Sequence, residues 1–277
     1  MLAAYQKDEA LLADLARTRA AGRSCVWWLG QSGFLVQTPQ ATILFDPYLS
    51  DSLTKKYADT DKPHTRVTER VITPELLTGI DLITSSHNHT DHLDAETLLP
   101  LLDANPTARL LIPRANREFV LNRLGPVESR LVEIDAGERV AVGAMACHGI
   151  TAAHNTVERD ERGCCRFLGF VAELAGLTFY HSGDTLMHDG LVESLAPFRP
   201  DVAFVPINGN KPERRVAGNL DGREAAELAH RIHAGIAIPH HFDQFAFNTA
   251  SPELFVTECR HLGQPFRVLR NGEGHEL

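Results

Sequence analysis

The sequence predicts an α/β (α+β) fold in one domain, with two β-rich portions flanked by helices. Three observations carry that expectation. Short β-branched runs alternate with helical stretches through the first half, residues 130–180 read as almost continuous strand, and helix and strand signals then alternate to the C-terminus. With 277 residues, 43% of them hydrophobic, the chain has material for one large core. A helix within residues 1–24 is expected to pack on the outside of a domain formed by residues 25–277.

In chain order, residues 2–21 read as a helix with Leu11, Leu12 and Leu15 on one face and Gly22 as its stop. Residues 25–29, 33–38 and 42–45 form an antiparallel meander, broken at Gly30-Gln31-Ser32 and Pro39-Gln40. The polar stretch 50–70, with three lysines and little periodicity, is expected to be a flap. Thr73-Pro74 caps and opens a short helix before the apolar strand 80–85. Asp94 caps a helix to about residue 102, residues 109–112 are a strand, and a helix over 115–124 ends at Gly125. The β-rich middle comprises 130–134, 140–147, 150–153, 167–173 and 177–180, with turns at Asp135-Ala136-Gly137 and Ala175-Gly176. Asp221-Gly222-Arg223-Glu224 is a capping box for a helix to residue 233. A strand at 235–238, a helix opened by Ser251-Pro252 and a final strand at 266–269 complete the chain, without repeats or low-complexity segments.

Lys and Arg total 27 against 36 Asp and Glu, a formal charge of −9, so affinity built on neutralising phosphate backbones is disfavoured and no nucleic-acid partner is expected. No run approaches the ~18 apolar residues of a spanning helix. Asp8, Glu9 and Asp14 break any secretory pattern at the N-terminus. A cytoplasmic protein follows as the expectation, and the sequence is equally compatible with a monomer and a homo-oligomer. The five cysteines, including adjacent Cys164-Cys165, read as reduced thiols.

The chemistry concentrates in Ser85-Ser86-His87-Asn88-His89-Thr90-Asp91-His92, four potential metal ligands just after a strand. Period-two alternation points His87 and His89 the same way, and a turn then brings Asp91 and His92 round. One such loop cannot hold two ions alone, so further ligands should lie at other strand ends. His154 follows 150–153, Asp184 follows 177–180 and His241 follows 235–238. Gly183 lets the chain turn tightly before Asp184. His148 competes with His154 but falls inside the β-rich run, which favours His154. This histidine and carboxylate set without thiolate suits Zn, Mn or Fe.

These features resemble the metallo-β-lactamase-fold hydrolases and, within them, the L-ascorbate-6-phosphate lactonase-like group. The matching pieces are Trp28-Leu29-Gly30-Gln31-Ser32-Gly33, Phe45-Asp46-Pro47-Tyr48-Leu49-Ser50, the His-x-His-x-Asp-His loop, Ala152-Ala153-His154, His181-Ser182-Gly183-Asp184-Thr185, Pro206-Ile207-Asn208-Gly209-Asn210, Gly218-Asn219 and Ile238-Pro239-His240-His241-Phe242-Asp243. They run in the family order over most of the chain. The resemblance implies a four-layer αββα sandwich with metals along one edge. It implies two divalent ions, Zn or Mn with Fe admitted: His87, His89 and His154 on one, Asp91, His92 and His241 on the other, and Asp184 bridging. Asp46 would brace the metal loop, with His181 and His240 behind the ligands.

The activity that the resemblance implies is hydrolysis by a metal-bridging hydroxide of a small-molecule substrate, a small anionic lactone or ester such as a sugar-phosphate lactone, with Asp91 also orienting the water or taking its proton. Lys211, Arg214, Arg215 and Arg166 read as an anion pocket, and Asn208, Asn210 and Asn219 as residues shaping it. The competing readings are a phosphodiesterase or nuclease of the same fold, which would need a basic surface, and a non-catalytic metal-binding protein, which would lack ligands.

Overall fold

Burial along the first strands sets the architecture, which a computed structural model describes for residues 1–277. Every residue of β1 (Cys25–Gly30) is buried, with Val26 and Trp28 in one hydrophobic core and Cys25, Trp27 and Leu29 in another. In β2 (Gly33–Gln37) and β3 (Thr42–Phe45), Phe34, Val36, Ile43 and Phe45 join the first core, Leu35 and Leu44 the second. Strands covered on both faces belong to an inner layer, with helices on one side and a second sheet on the other.

The first sheet continues from this antiparallel meander into parallel β4 (Leu82–Thr84), β5 (Arg109–Pro113) and β6 (Leu131–Ile134). The second sheet starts as a meander of β7 (Arg139–Val142), β8 (Met145–Thr151), β9 (Leu168–Leu174) and β10 (Leu177–His181), and adds β11 (Val202–Pro206) and β12 (Ile236–His240) parallel to β10. C-terminal β13 (Gly274–Glu276) returns to pair with β1, giving the orders β13-β1-β2-β3-β4-β5-β6 and β12-β11-β10-β9-β8-β7. Between the sheets Phe34 stacks on Phe204 at 4.1 Å and Trp28 on Phe242 at 4.4 Å.

α1 (Asp8–Ala20) covers the first sheet through Leu11, α2 (Ser52–Lys56) sits in the excursion after β3, and α3 (Ala95–Ala104) and α4 (Arg117–Leu124) bury Leu98, Leu101, Val120 and Leu124. α5 (Leu191–Leu195), α6 (Gly222–Arg231) and α7 (Glu253–Leu262) cover the second sheet through Leu195, Ala225, Leu228 and Phe255. The result is the αββα sandwich.

Several elements differ from the sequence expectation. α1 starts at Asp8 because Leu2 bridges to Thr68 and the Tyr5 amide donates to the Asn271 carbonyl, which keeps the first residues extended. The strand expected over 140–147 is a hairpin, turned at Gly143 with φ of 56°, and β8 runs on through His148 to Thr151. Residues 266–269 make only an isolated bridge, Phe266 to Ala237; Gly272, with φ of 84°, then turns the chain into β13. β11 was not foreseen. The capping box on α6 forms, the Asp221 carboxylate accepting from the Arg223 and Glu224 amides at 2.8 and 2.9 Å and Glu224 accepting from the Asp221 amide. Asp94 precedes α3 but uses its carboxylate to accept from Ser50 Oγ and Thr97 Oγ1, both at 2.6 Å, tying the excursion after β3 to the helix. That excursion is folded down: Thr54 Oγ1 donates to the His64 carbonyl at 2.6 Å and Arg66 pairs with Asp51 at 2.6 Å.

Candidate metal centre

Parallel strands bring their carboxyl ends to one edge, and the loops leaving those ends carry the chemistry. The loop after β4 holds His87, His89, Asp91 and His92. His154 follows β8, Asp184 follows β10 and His241 follows β12. The structure gathers them into two groups, His87 with His89 and His154, and Asp91 with His92, Asp184 and His241; within each group the ligand atoms lie within 4.8 Å of one another. Asp184 stands between the groups. Its Oδ2 faces His154 Nε2 at 3.4 Å, while Oδ1 faces His241 Nε2 at 2.8 Å and His92 Nε2 at 3.3 Å. His148 is not in either group: its Nε2 lies 3.1 Å from Glu173 at the outer part of the second sheet.

Local structure aims these groups. Gly183 adopts φ of 58°, and a Cβ there would lie 2.7 Å from the Leu168 carbonyl oxygen and from Ser86 Cβ, so only glycine delivers Asp184 against the metal loop. His154 Nδ1 donates to the Gly218 carbonyl at 2.7 Å, leaving Nε2 toward Asp184. His92 Nδ1 donates to Asp46 Oδ2 at 2.7 Å, so its Nε2 also faces inward. Asp46, fully buried, also accepts from Thr84 Oγ1 at 2.6 Å, from the Ser86 amide at 3.1 Å, and from Ser86 Oγ. Burial alone would raise the Asp46 pKa; the His92 hydrogen bond, the neighbouring histidine rings and Ser86 reverse that and bring it to about 2. Asp46 therefore holds the metal loop as a carboxylate.

Behind the ligands His181 Nε2 donates to the Ser32 carbonyl at 2.8 Å and its Nδ1 accepts from the Gly183 amide at 3.1 Å, joining the β1–β2 turn to the Asp184 loop. His240 stacks on His181 at 5.2 Å and is likewise buried, as part of the wall.

The donor set fits cations. His87 Nε2 is buried without a hydrogen-bond partner, and His92 Nε2, His241 Nε2 and Asp184 Oδ1 are buried with no protein partner outside the candidate ligand set; leaving such a group unsatisfied costs roughly 1–3 kcal/mol. Burial opposes protonation of His92, but Asp184 and Asp91 pull its pKa well above the usual histidine value: the two carboxylates demand positive charge. Burial depresses His87 well below that value and also lowers His154, which keeps both as neutral donors. Five imidazoles and two carboxylates, without thiolate, suit borderline divalent ions.

Sequence reasoning missed Gln31, which the motif around Gly30 could have flagged. In the left-handed conformation at φ of 48°, its Nε2 donates to Asp91 Oδ2 at 2.8 Å and lies 3.0 Å from His241 Nδ1. It also missed much of the adjoining cavity of about 430 Å³, which His89, Asp91, His154 and Asp184 line together with Lys56, Lys62, His64, Phe119 and Arg123. Of the residues expected around the substrate, Arg215 lines this cavity. Arg214 instead donates to the Asn208 and Thr249 carbonyls at 2.6 and 2.7 Å, Asn219 donates to Asn208 Oδ1 at 3.0 Å, and Asn210 packs against Gly218, so the structure uses these to build the wall behind the site.

Two facing sheets with this ligand edge define the metallo-β-lactamase fold. Residues 41–242 match the beta-lactamase superfamily domain. A "UPF0173 metal-dependent hydrolase" from Alkaliphilus metalliredigens is 30% identical over 243 residues, covering 85% of this chain and 92% of the relative. Another, from Myxococcus xanthus, is 27% identical over 271 residues, covering 95% of this chain and 85% of the relative. Igni18, a metallo hydrolase from Ignicoccus hospitalis, superposes with a TM-score of 0.66 over 92% of this chain and 98% of its own, at 19% identity. The chain belongs to the beta-lactamase superfamily and, within it, to the UPF0173 metal-dependent hydrolases.

Proposed function

We propose that the chain is a dinuclear metal-dependent hydrolase of small anionic esters or lactones. The observation that carries this reading is the placement of Asp184, whose two oxygens face the two ligand groups separately. His87, His89 and His154 would hold one ion, and Asp91, His92 and His241 the other, with Asp184 shared. Zn and Mn suit the donors, and Fe is admissible. Bound there, such ions lower the pKa of water to near ~7 and polarise the scissile carbonyl.

The chain's own residues supply the rest. Asp91 borders the cavity and is steadied by Gln31, so it is placed to orient the attacking water and accept its proton. Asp46 and the Gly218 carbonyl fix the tautomers of His92 and His154, which removes the cost of reorienting them as charge develops. The cavity of about 430 Å³ suits a small molecule and not a polymer. The motif resemblance to L-ascorbate-6-phosphate lactonases supports a lactone bearing an anionic group.

Metal analysis joined to a panel of lactones, phosphomonoesters and phosphodiesters, assayed with Zn and with Mn, tests the reading. Two ions per chain and metal-dependent opening of lactones or esters are expected. Cleavage of phosphodiesters alone would replace it with the phosphodiesterase reading, and metal binding without turnover of any of them with a binding protein.

A further inference from the structure

We propose that the excursion after β3, residues 50–66, carries the anion subsite of the substrate cavity, with Lys56 and Lys62 gripping a carboxylate or phosphate group of the substrate. The proposal rests on the hydrolase reading above and assigns the residues that would choose among its substrates.

The charge distribution singles these two side chains out. The chain has only five lysines and a net charge of −9, a background that repels anions. Lys7 and Lys55 are paired, with Glu69 at 2.9 Å and Glu96 at 2.8 Å. Lys56 and Lys62 line the cavity beside the metal ligands, and neither has a carboxylate partner. Lys56 Nζ lies 3.4 Å from Thr90 Oγ1 and 5.1 Å from the Tyr57 ring centroid, and Lys62 Nζ is held by the Arg215 carbonyl. Arg215, which also lines the cavity, is neutralised by Asp61, so it steadies Lys62 without competing for an anion.

A third cation lines the same cavity. Arg123 of α4 donates through Nη1 to the Asn88 and Leu93 carbonyls at 2.8 and 2.9 Å, and its guanidinium lies 4.5 Å from the Phe119 ring. Those bonds fix it to the metal loop, and it too has no carboxylate partner while lining the cavity. The only acidic residues lining the cavity are Asp91 and Asp184, both in the ligand set. An ester reaching the metal ligands therefore finds its anionic end among three uncompensated positive charges.

The arrangement also explains why the excursion is anchored. Its carbonyl at Ser50 accepts from Arg66, and the Ser50 hydroxyl donates to Asp94 at 2.6 Å, so both lysines are carried on a segment tied to α3 next to the metal loop. Lys56 is exposed and Lys62 half-buried, so replacing them leaves the core untouched.

The test uses the metal-loaded full chain, its Lys56→Gln, Lys62→Gln and double variants, and Lys55→Gln as a control one residue away on the same short helix. Matched ester pairs with and without a distal carboxylate, and with and without a distal phosphate, are compared by kcat/KM. The double variant is expected to lower the anionic-to-neutral ratio by about 10- to 100-fold, mainly through KM, as the loss of charge-assisted hydrogen bonds predicts. Whether the carboxylate or the phosphate pair falls more identifies the anion. An unchanged ratio in the double variant, or an equal fall in Lys55→Gln, overturns the subsite. Failure of the hydrolase reading shows separately, as wild-type protein that cleaves neither member of any pair. In that event, calorimetric binding of inorganic phosphate and of acetate decides the subsite: about tenfold weaker binding of either by the double variant supports it, and equal affinity for both overturns it.

Discussion

Replacing Asp46 with asparagine isolates the bracing of the metal loop, because shape is kept while one acceptor becomes a donor. In the structure Oδ2 accepts from His92 Nδ1 at 2.7 Å and from Ser86 Oγ, and Oδ1 accepts from Thr84 Oγ1 at 2.6 Å and the Ser86 amide at 3.1 Å. Whichever way the amide turns, an N–H meets donors. If it faces His92, the ring must take the other tautomer and present Nε2–H toward Asp184 and Asp91 in place of a lone pair. Loss of such a partner typically weakens metal binding by about 10–100-fold, equivalent to roughly 1.4–2.8 kcal/mol. Competition for Zn against a chromogenic chelator, read for the tighter and weaker ions separately, measures it. One ion should weaken by that factor, the one held by His92, and the other by much less. Thr84→Ala, which removes one hydrogen bond to Asp46 and leaves its charge, should cost stability of about 1 kcal/mol with a smaller effect on metal. Zn affinity in Asp46→Asn equal to wild type for both ions would refute the bracing role.

Asp184→Ala should abolish turnover and lower metal content; full activity with normal metal, by plasma emission analysis, would remove Asp184 from between the ions. His154→Ala should lose metal while His148→Ala keeps it, since His148 pairs with Glu173 away from the site, and the reverse outcome would exchange their roles. Gly183→Ala places a Cβ 2.7 Å from the Leu168 carbonyl oxygen at a left-handed φ of 58°; urea denaturation should show a loss of roughly 2–4 kcal/mol. A loss under 1 kcal/mol would mean the loop moves aside.

The candidate ligands that the structure gathers were legible because each sits where an apolar run stops, a local signal, whereas their division into two groups came with the family resemblance. Asp46 was found through the motif resemblance, and the Asp221 capping box through its own local pattern, an acceptor followed three residues later by Glu224. Gln31 was harder to find: its contact with Asp91 spans 60 positions and depends on sheet docking that no local pattern records. Arg214 misled for a related reason. Next to Arg215 it looks equally available, yet its guanidinium bonds the Asn208 and Thr249 carbonyls, while Arg215, at a left-handed φ of 52°, pairs with Asp61 and lines the cavity. The final strand shows the limit of periodicity: residues 266–269 touch the β12 edge through one bridge only, Phe266 to Ala237, and the C-terminal pairing is made instead by Gly274–Glu276 on β1. Lys56 and Lys62 stood in a polar, aperiodic stretch that read only as a flap.

The way the ligands divide between the sheets bears on how an ion could be captured. His87, His89, Asp91 and His92 precede the crossing from β6 to β7, and His154, Asp184 and His241 follow it. Each ligand group draws from both sides. Neither half of the chain, folded alone, offers either complete candidate group, so on the proposed ligand assignment tight metal capture would wait for the sandwich to close. Ions bound there would act as rivets between the two layers, stabilising the closed protein by RT ln(1 + [L]/Kd) while contributing far less to a detached half. Chelation would thus loosen the whole sandwich at its working edge, and metal supply would set not only activity but the lifetime of the fold.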